Sequence, residues 1–487
     1  MKKKLLAFIL SAAALFSLVT ACDKVADNYE HINNQIETKA VGSLDYERNA
    51  SSFSVSLNDI ANLFKAISPS STIEDITPVG ELNNPFLYIV NLDDGWRIVA
   101  SDKRMPPILA YSDEGRFSDN LASCTGISIW FEEAENQVNF IREENALSNE
   151  YTDVWNALLQ KQSSEGKRGN RDVLWTKITT VQYYSPTQSS YGPYVTTIWG
   201  QGEPWNRKCP IDYNYNNSHR SYTGCVSVAI SQLLYYYHHS IGIPSGLYES
   251  IDCSNVSLSP NPVYYNGQLF NFYIVNLGRS NYVNNSTRWN NMLQNNSNPY
   301  SGSFIAGYDN VMDLMMDVGD RVNMQYSYWL GSGATDTAAL SSLGYYGLTG
   351  SLDNYTDSLA IASLSEGKPL CAFGKNSQDD GHAWVLDGYI HTKNWTRTTY
   401  LWRLGYNPGE GIGEMATQEE AVEFAEAFGY DHPEDEMTGS VTSPIVDNYY
   451  FHMNWGWDGV DNGNYMNFAM FNMNREIIHN IHASNQN

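Results

Sequence analysis

The first break in the pattern along the chain is Lys2, Lys3 and Lys4 followed by an apolar run from Leu5 to Val19. The run is too short to span a bilayer comfortably and predicts a secretory leader. Residues 23–50 are polar and predict a tether. Two strand-like runs, Phe86 to Val90 and Trp96 to Ala100, flank an Asp94-Gly95 turn and predict a hairpin. A further run, Pro106 to Ser112, leads toward a stretch from Trp130 to Leu159 with helical spacing at Trp130, Ala134, Val138 and Ile141. Residues 160–172 then lose all apolar periodicity and carry Gly166, Lys167, Arg168, Gly169 and Arg171, which predicts an exposed, protease-sensitive connector.

From about residue 175 onward the chain is aromatic-rich, without a detectable repeat or a second linker of that quality, and predicts one domain. Ser221 to Gly224 form a small polar turn, and Val226, Ala229, Ile230, Leu233 and Tyr237 continue as a helical stripe, so Cys225 falls at a helix start. Farther on, Thr417 and Glu420 have capping-box spacing, Ala421, Phe424, Ala425 and Phe428 make an apolar stripe, and Gly429 ends it.

With 487 residues and 42% hydrophobic content, the chain can bury the cores of two or three domains. Its formal net charge of -25 argues against a nucleic-acid partner, which would need clustered Lys and Arg. Leu18-Val19-Thr20-Ala21-Cys22 resembles a bacterial lipobox, so Cys22 is the expected lipidation site and the membrane is reached through a lipid anchor. With Cys22 modified, the five remaining of six cysteines cannot all pair, and at least one thiol stays free.

Cys225 is the free thiol best placed for chemistry. Backbone N–H groups and the positive dipole end at a helix start favour a thiolate, and the same N–H groups can donate to an oxyanion. Such a nucleophile needs an imidazole and a group that orients it. His382 heads the apolar run Ala383 to Leu386, and Asn454 ends a strand-like run before Trp455 and Trp457, which could shield a hydrogen bond from water. Gln201, flanked by Gly200 and Gly202, lies upstream as a second oxyanion donor would. His238 and His239 lack partners at metal-ligand spacing and read as solvent-facing; no metal and no cofactor is expected.

The order Gln201-Gly202 with Pro204 and Asn206, Thr223-Gly224-Cys225-Val226, Gly381-His382-Ala383 with Asp387-Gly388, then Asn454-Trp455-Gly456-Trp457 resembles the streptopain-like family of papain-clan cysteine proteases. The resemblance extends to Met312 to Gly319, to the loop Gly331-Ser332-Gly333-Ala334 and, upstream, to an inhibitory propeptide that includes the hairpin and Pro107 to Ser112. It implies an α+β fold: a papain-like catalytic domain with a helical part and an antiparallel sheet or barrel part, behind an α+β propeptide domain. It also implies Cys225 as nucleophile, His382 as base then acid, Asn454 as orienter and Gln201 as oxyanion donor. Trp455 and Trp457 would shield them, and Gly331, Ser332, Gly333 and Gly381 would line the substrate cleft.

The expected domains are a lipoprotein signal at 1–21, lipidated Cys22 and tether at 22–50, propeptide at 51–175 and protease at 176–487. Expected partners are protein or peptide substrates, the chain's own propeptide and the membrane, at the cell envelope or outer surface. Residues 391–448 depart from the family as an insertion expected near the cleft, where it would restrict substrates. The chain after Asn464 is also shorter than the family's. A cell-wall amidase and a catalytically silent surface lipoprotein are the competing readings.

Overall fold

In the computed structural model the residues described are 53–81, 83–118, 125–143, 149–159, 175–214, 218–265, 268–295, 302–404, 414–468 and 475–484. The signal, Cys22, the tether and the connector at 160–172 lie outside them.

The N-terminal domain begins with helix α1 (Leu57–Ile67), started by a capping box in which Ser56 and Asp59 satisfy each other's backbone N–H. Four strands follow: β1 (Ile73–Glu81), β2 (Asn84–Leu92), β3 (Gly95–Ala100) and β4 (Ile108–Ser112), each antiparallel to the next. The hairpin at Asp94-Gly95 is present, with Leu92 opposite Gly95. The long helical stretch is two helices, α2 (Thr125–Glu143) and α3 (Asn149–Leu159). Both pack their apolar stripes, including Trp130, Ala134, Val138, Val154 and Trp155, against the strands.

The second domain has a helical half and a sheet half. Helices α4 (Cys225–Ile241), α5 (Gly302–Arg321) and α6 (Asp336–Leu343) build one core, in which Ile230, Leu233, Leu314 and Met315 meet Ala383, Val385 and Ile478. Helix α7 (Asp357–Ser365) packs on the sheet. The connector is followed by β5 (Trp175–Tyr184) and β6 (Thr187–Tyr191), and the later strands are β7 (Leu348–Asn354), β8 (Leu370–Lys375), β9 (Gly381–Leu404), β10 (Glu414–Ala416), β11 (Glu436–Thr442), β12 (Val446–Asn454), β13 (Gly463–Met466) and β14 (Glu476–Ala483). They run β13-β12-β9-β8-β14-β7, and β4 pairs β13 through Tyr111 opposite Asn464 and Ala110 opposite Tyr465. One sheet of 14 strands thus passes through both domains, and one hydrophobic core runs from Val55 to Ile477 across the boundary.

The 391–448 segment folds as expected locally. Helix α8 (Gln418–Ala427) has its capping box at Thr417 and Glu420, and Gly429 follows with φ +79. Its position is not as expected. The 24-residue strand β9 carries His382 at one end and pairs with β5 and β11 at the other. The twenty positions from His382 to Trp402, at ~3.3 Å each, give a path of roughly 65 Å along the strand between His382 and the insertion's core. There Trp175, Trp402, Ala421, Phe424 and Met437 form a separate small core, and Trp175 Nε1 donates to Gln418 Oε1 at 3.0 Å. The insertion therefore holds β5, the first described strand after the connector, at the end of β9 away from His382.

Trp175→Ala should empty that core at a cost of about 3–5 kcal/mol, confined to the module. Hydrogen exchange should accelerate at 175–184 and 416–442 while cleavage preference stays as in the parent; a changed preference would return the insertion to the cleft.

Candidate active site

Helix α4 starts at Cys225 because Gly224 supplies what no other residue can at that point. Its φ is +89, and a Cβ there would lie 2.6 Å from Met324 Sδ and 3.1 Å from the Ser332 carbonyl oxygen. No side chain caps the helix, so its first N–H groups remain directed at the Cys225 side. Cys225 is 4% exposed, and Ser227 Oγ donates to Met315 O at 2.6 Å, anchoring the first turn to α5. Cys209, Cys253 and Cys371 are also free thiols. Burial raises the pKa of Cys209 and Cys371 well above the ordinary range and that of Cys253 to about 11, which disfavours their thiolates.

The Gln201 turn is tied to the nucleophile's turn by two bonds. Thr223 N and Thr223 Oγ1 both donate to Gln201 O, at 3.0 and 2.7 Å. Asn206 Nδ2 donates to Ser221 O at 3.2 Å, and Trp205 Nε1 donates to Asp458 Oδ1 at 2.5 Å. Gln201 is fully buried. Burial raises the Asp458 pKa, against the pull of the Trp205 bond.

The loop expected to line the cleft adjoins the same turn. Ser332 Oγ donates to Tyr222 O at 2.6 Å and accepts from Ser327 N at 3.0 Å. Gly331 has φ +70, and Gly333 exchanges both backbone bonds with Gln325. Ser332 is fully buried, and its hydroxyl holds the loop. Gly381 is buried at the head of β9, opposite Lys375. His238, expected to face solvent, is half-buried and stacks on Trp289 at 4.5 Å.

His382 is 3% exposed. Its Nε2 lies 2.8 Å from Trp455 O. A carbonyl only accepts, so Nε2 carries the proton, and in the neutral ring Nδ1 carries the lone pair a base needs. Asn454 is engaged elsewhere: Nδ2 donates to Thr197 O at 2.7 Å, and Oδ1 accepts from Gly456 N at 3.3 Å. The expected Asn454 bond to the imidazole is therefore not made here, and the next carbonyl along the chain takes its place. Trp455 is fully buried, tilted against Trp384 and edge-on to Tyr465, whereas Trp457 is half-buried. Asp387 holds the strand crossing, accepting from Val195 N at 2.8 Å and bonding His452 Nδ1 at 2.6 Å. Burial alone would lower the His452 pKa, but the Asp387 charge and hydrogen bond outweigh it and raise it.

The N-terminal domain reaches this histidine. A Cβ on Gly126, in the first turn of α2, would lie 2.4 Å from Trp455 Cε3 and 2.7 Å from His382 Cδ2. One turn and more along α2, Glu133 forms an ion pair with Arg475, both side chains essentially unexposed. Glu132 accepts from Ser377 N at 3.1 Å, and Trp130 Nε1 donates to Met466 O at 2.8 Å. Asp461 accepts from Ser118 N at 2.7 Å, and burial pushes its pKa up to about 6. Glu133 stands three positions after Trp130, beside the apolar stripe, a local signal that the sequence reading did not use. Gly126, Arg475 and Asp461 had no such local signal.

Comparison with known proteins places these features in a family context. Residues 199–407 match the Peptidase C10 family, and residues 47–138 match the Spi protease inhibitor. The first match stops short of Asn454. Streptopain of Streptococcus pyogenes is 24% identical over 409 residues, covering 80% of this chain and 86% of that protein. The thiol protease/hemagglutinin PrtT of Porphyromonas gingivalis is 24% identical over 418 residues, covering 77% of this chain and 40% of that protein. A solved fragment of Prevotella intermedia prointerpain A has a TM-score of 0.47 at 18% identity, covering 83% of this chain and 98% of that one.

Two predictions follow from the docked α2. In the intact chain Gly126→Val should force α2 away from His382 and Trp455. Each 1.4 kcal/mol of docking lost raises the open fraction about tenfold, read as hydrolysis of a small fluorogenic peptide before any cleavage of the chain. Asp461→Asn keeps an acceptor for Ser118 N but removes a carboxylate that is disfavoured where it is buried. Because the docked pKa is raised, that penalty is present above about pH 6 and relieved as the pH falls through it. The intact variant should melt higher than its parent at pH 8, with the gain fading below about pH 5; an equal gain at both would show that the carboxylate is not the cause.

Proposed function

We propose that this chain, a streptopain-like cysteine peptidase with a Peptidase C10 family domain behind a Spi-type inhibitor domain, is the zymogen of an exported, lipid-anchored endopeptidase that works through Cys225 and His382. The observation that carries the zymogen reading is Gly126 packed directly on His382 and Trp455. A domain seated there leaves no room for a substrate beside the imidazole.

In the reaction, Nδ1 of His382 takes the Cys225 proton and the thiolate attacks the scissile carbonyl carbon. The oxyanion accepts from the Cys225 N–H and the Gln201 side chain, whose turn Thr223 fixes to the nucleophile's own. The imidazolium then protonates the leaving amine, the C–N bond breaks, and a thioester remains. Water, deprotonated by His382, attacks the thioester, releases the acid and restores the thiol. Trp455 and Trp457 limit water around the imidazole. With α2 removed, the ring gains the freedom to exchange Trp455 O for Asn454 Oδ1, the orienter role proposed for that residue. Cys22 is the proposed anchor, which would put the enzyme at the cell envelope until cleavage between residues 160 and 174 detaches the catalytic domain.

Residues 23–487, wild type beside Cys225→Ala, test the catalytic reading. The wild type should shed its first domain within 160–174 by mass spectrometry and then hydrolyse casein, while the variant stays intact and at background. If the wild type remains inert after trypsin trims it at Lys167, Arg168 or Arg171, the reading is wrong. Labelling cells with a lipid precursor should mark the wild-type precursor and leave Cys22→Ser unmarked.

A further inference from the structure

Five aromatic rings form a row that passes the nucleophile's turn. Trp457 meets Tyr222 edge to face at 5.8 Å. Tyr222 lies parallel to Tyr328 at 5.4 Å and 11°, and Tyr328 parallel to His219 at 4.3 Å and 11°. Trp329 closes edge-on against His219 and Tyr328. Tyr222 stands three residues before Cys225, and its Cε1 is 3.8 Å from where a Cβ on Gly202 would be. The row therefore passes beside the proposed oxyanion donor.

The rings are held in place from below. Tyr328 N donates to Asp212 Oδ2 at 2.8 Å, as does Ser327 Oγ at 2.7 Å, and Asp212 is fully buried. Tyr222 O accepts from Ser332 Oγ. Yet His219, Tyr222, Tyr328, Trp329 and Trp457 all remain half-buried with the N-terminal domain docked. A rigid, contiguous row of partly exposed rings running out of a cleft is a surface prepared for contact rather than a core.

We infer that this row is a subsite for the leaving-group side of a protein substrate, selecting aromatic or large aliphatic residues just after the scissile bond. The inference rests on the catalytic reading of Cys225 and His382. The side follows from the chemistry: the leaving amine must meet His382, whose Nε2 is held by Trp455, and Trp457 at the start of the row is two residues further on. Ring steps of 5.4 and 4.3 Å against ~3.3 Å per residue of extended peptide give the row a reach of about three residues.

The test compares two substrate types on the processed enzyme and on its Tyr328→Ala and Tyr328→Phe forms. One is a peptidyl aminomethylcoumarin, whose leaving group is a single bicyclic amine that reaches no further than the first position after the bond cut. The other is a set of internally quenched peptides with the same acyl half and either Phe and Leu or Ser and Gly in the next three positions. The wild type should prefer the apolar set by about tenfold in kcat/KM. In Tyr328→Ala the ratio of apolar quenched peptide to coumarin substrate should fall by a similar factor, with Tyr328→Phe restoring it. Equal cleavage of the two quenched sets by the wild type, or an equal loss on both substrate types in Tyr328→Ala, overturns the inference while leaving the catalytic reading intact. Failure of the wild type on every substrate overturns both.

Discussion

The bond between His382 Nε2 and the Trp455 carbonyl, 2.8 Å long, organises both sides of this molecule. Trp455 is itself fixed at three points: its N–H on Asn462 Oδ1, its indole N–H on Asp461 O, and its ring against Trp384 and Tyr465. A buried amide network of this kind has little freedom to adjust, since each unpaired group would carry a desolvation penalty. The imidazole therefore inherits its tautomer and orientation from the Trp455 turn. Because Gly126 packs on the same ring pair, the group that positions the proposed base is also the floor on which the N-terminal domain rests.

Docking of that domain combines apolar area with a small number of charges placed where water is excluded. The shared core runs through Trp96, Trp130, Phe451 and Tyr465. Within it, Glu133 and Arg475 meet essentially unexposed, and Arg475 also donates to Asn467 and lies over the Tyr355 and Trp384 rings. A buried pair of this kind adds little against an apolar substitute of the same shape, but separating it leaves a charge stranded. It thus favours one seating of α2 over alternatives. Asp461 works in the other direction, since its raised pKa marks a carboxylate held where its charge is disfavoured. Tight seating and a pH-sensitive weak point coexist in one interface.

The continuous sheet has a further consequence for maturation. Strand β4 covers the edge of β13, so loss of the N-terminal domain uncovers backbone N–H and C=O groups on β13 as well as the apolar face beneath α2. Edges of this sort are usually short or otherwise blunted, and β13 is four residues long. The other end of the catalytic domain changes little, because β5 lies between β9 and β10 and is pinned by Trp175 in the insertion's own core.

Local structure, and which side chains are candidates for the chemistry, were legible in the sequence. Cys225 at a helix start followed from a glycine turn and a helical stripe, the hairpin from Asp94-Gly95, and α8 from its capping box, because each depends on residues within one or two turns of each other. Spacing along the chain could not decide which faces meet. The Glu133–Arg475 pair joins residues 342 apart, and Asn454 turned to Thr197 because a strand crossing brought that carbonyl within reach. The insertion reads in sequence as a neighbour of the cleft because it connects the His382 and Asn454 strands. Only the unbroken length of β9 carries it away, since a hydrogen-bonded strand must extend as far as its partners on both sides continue to pair with it.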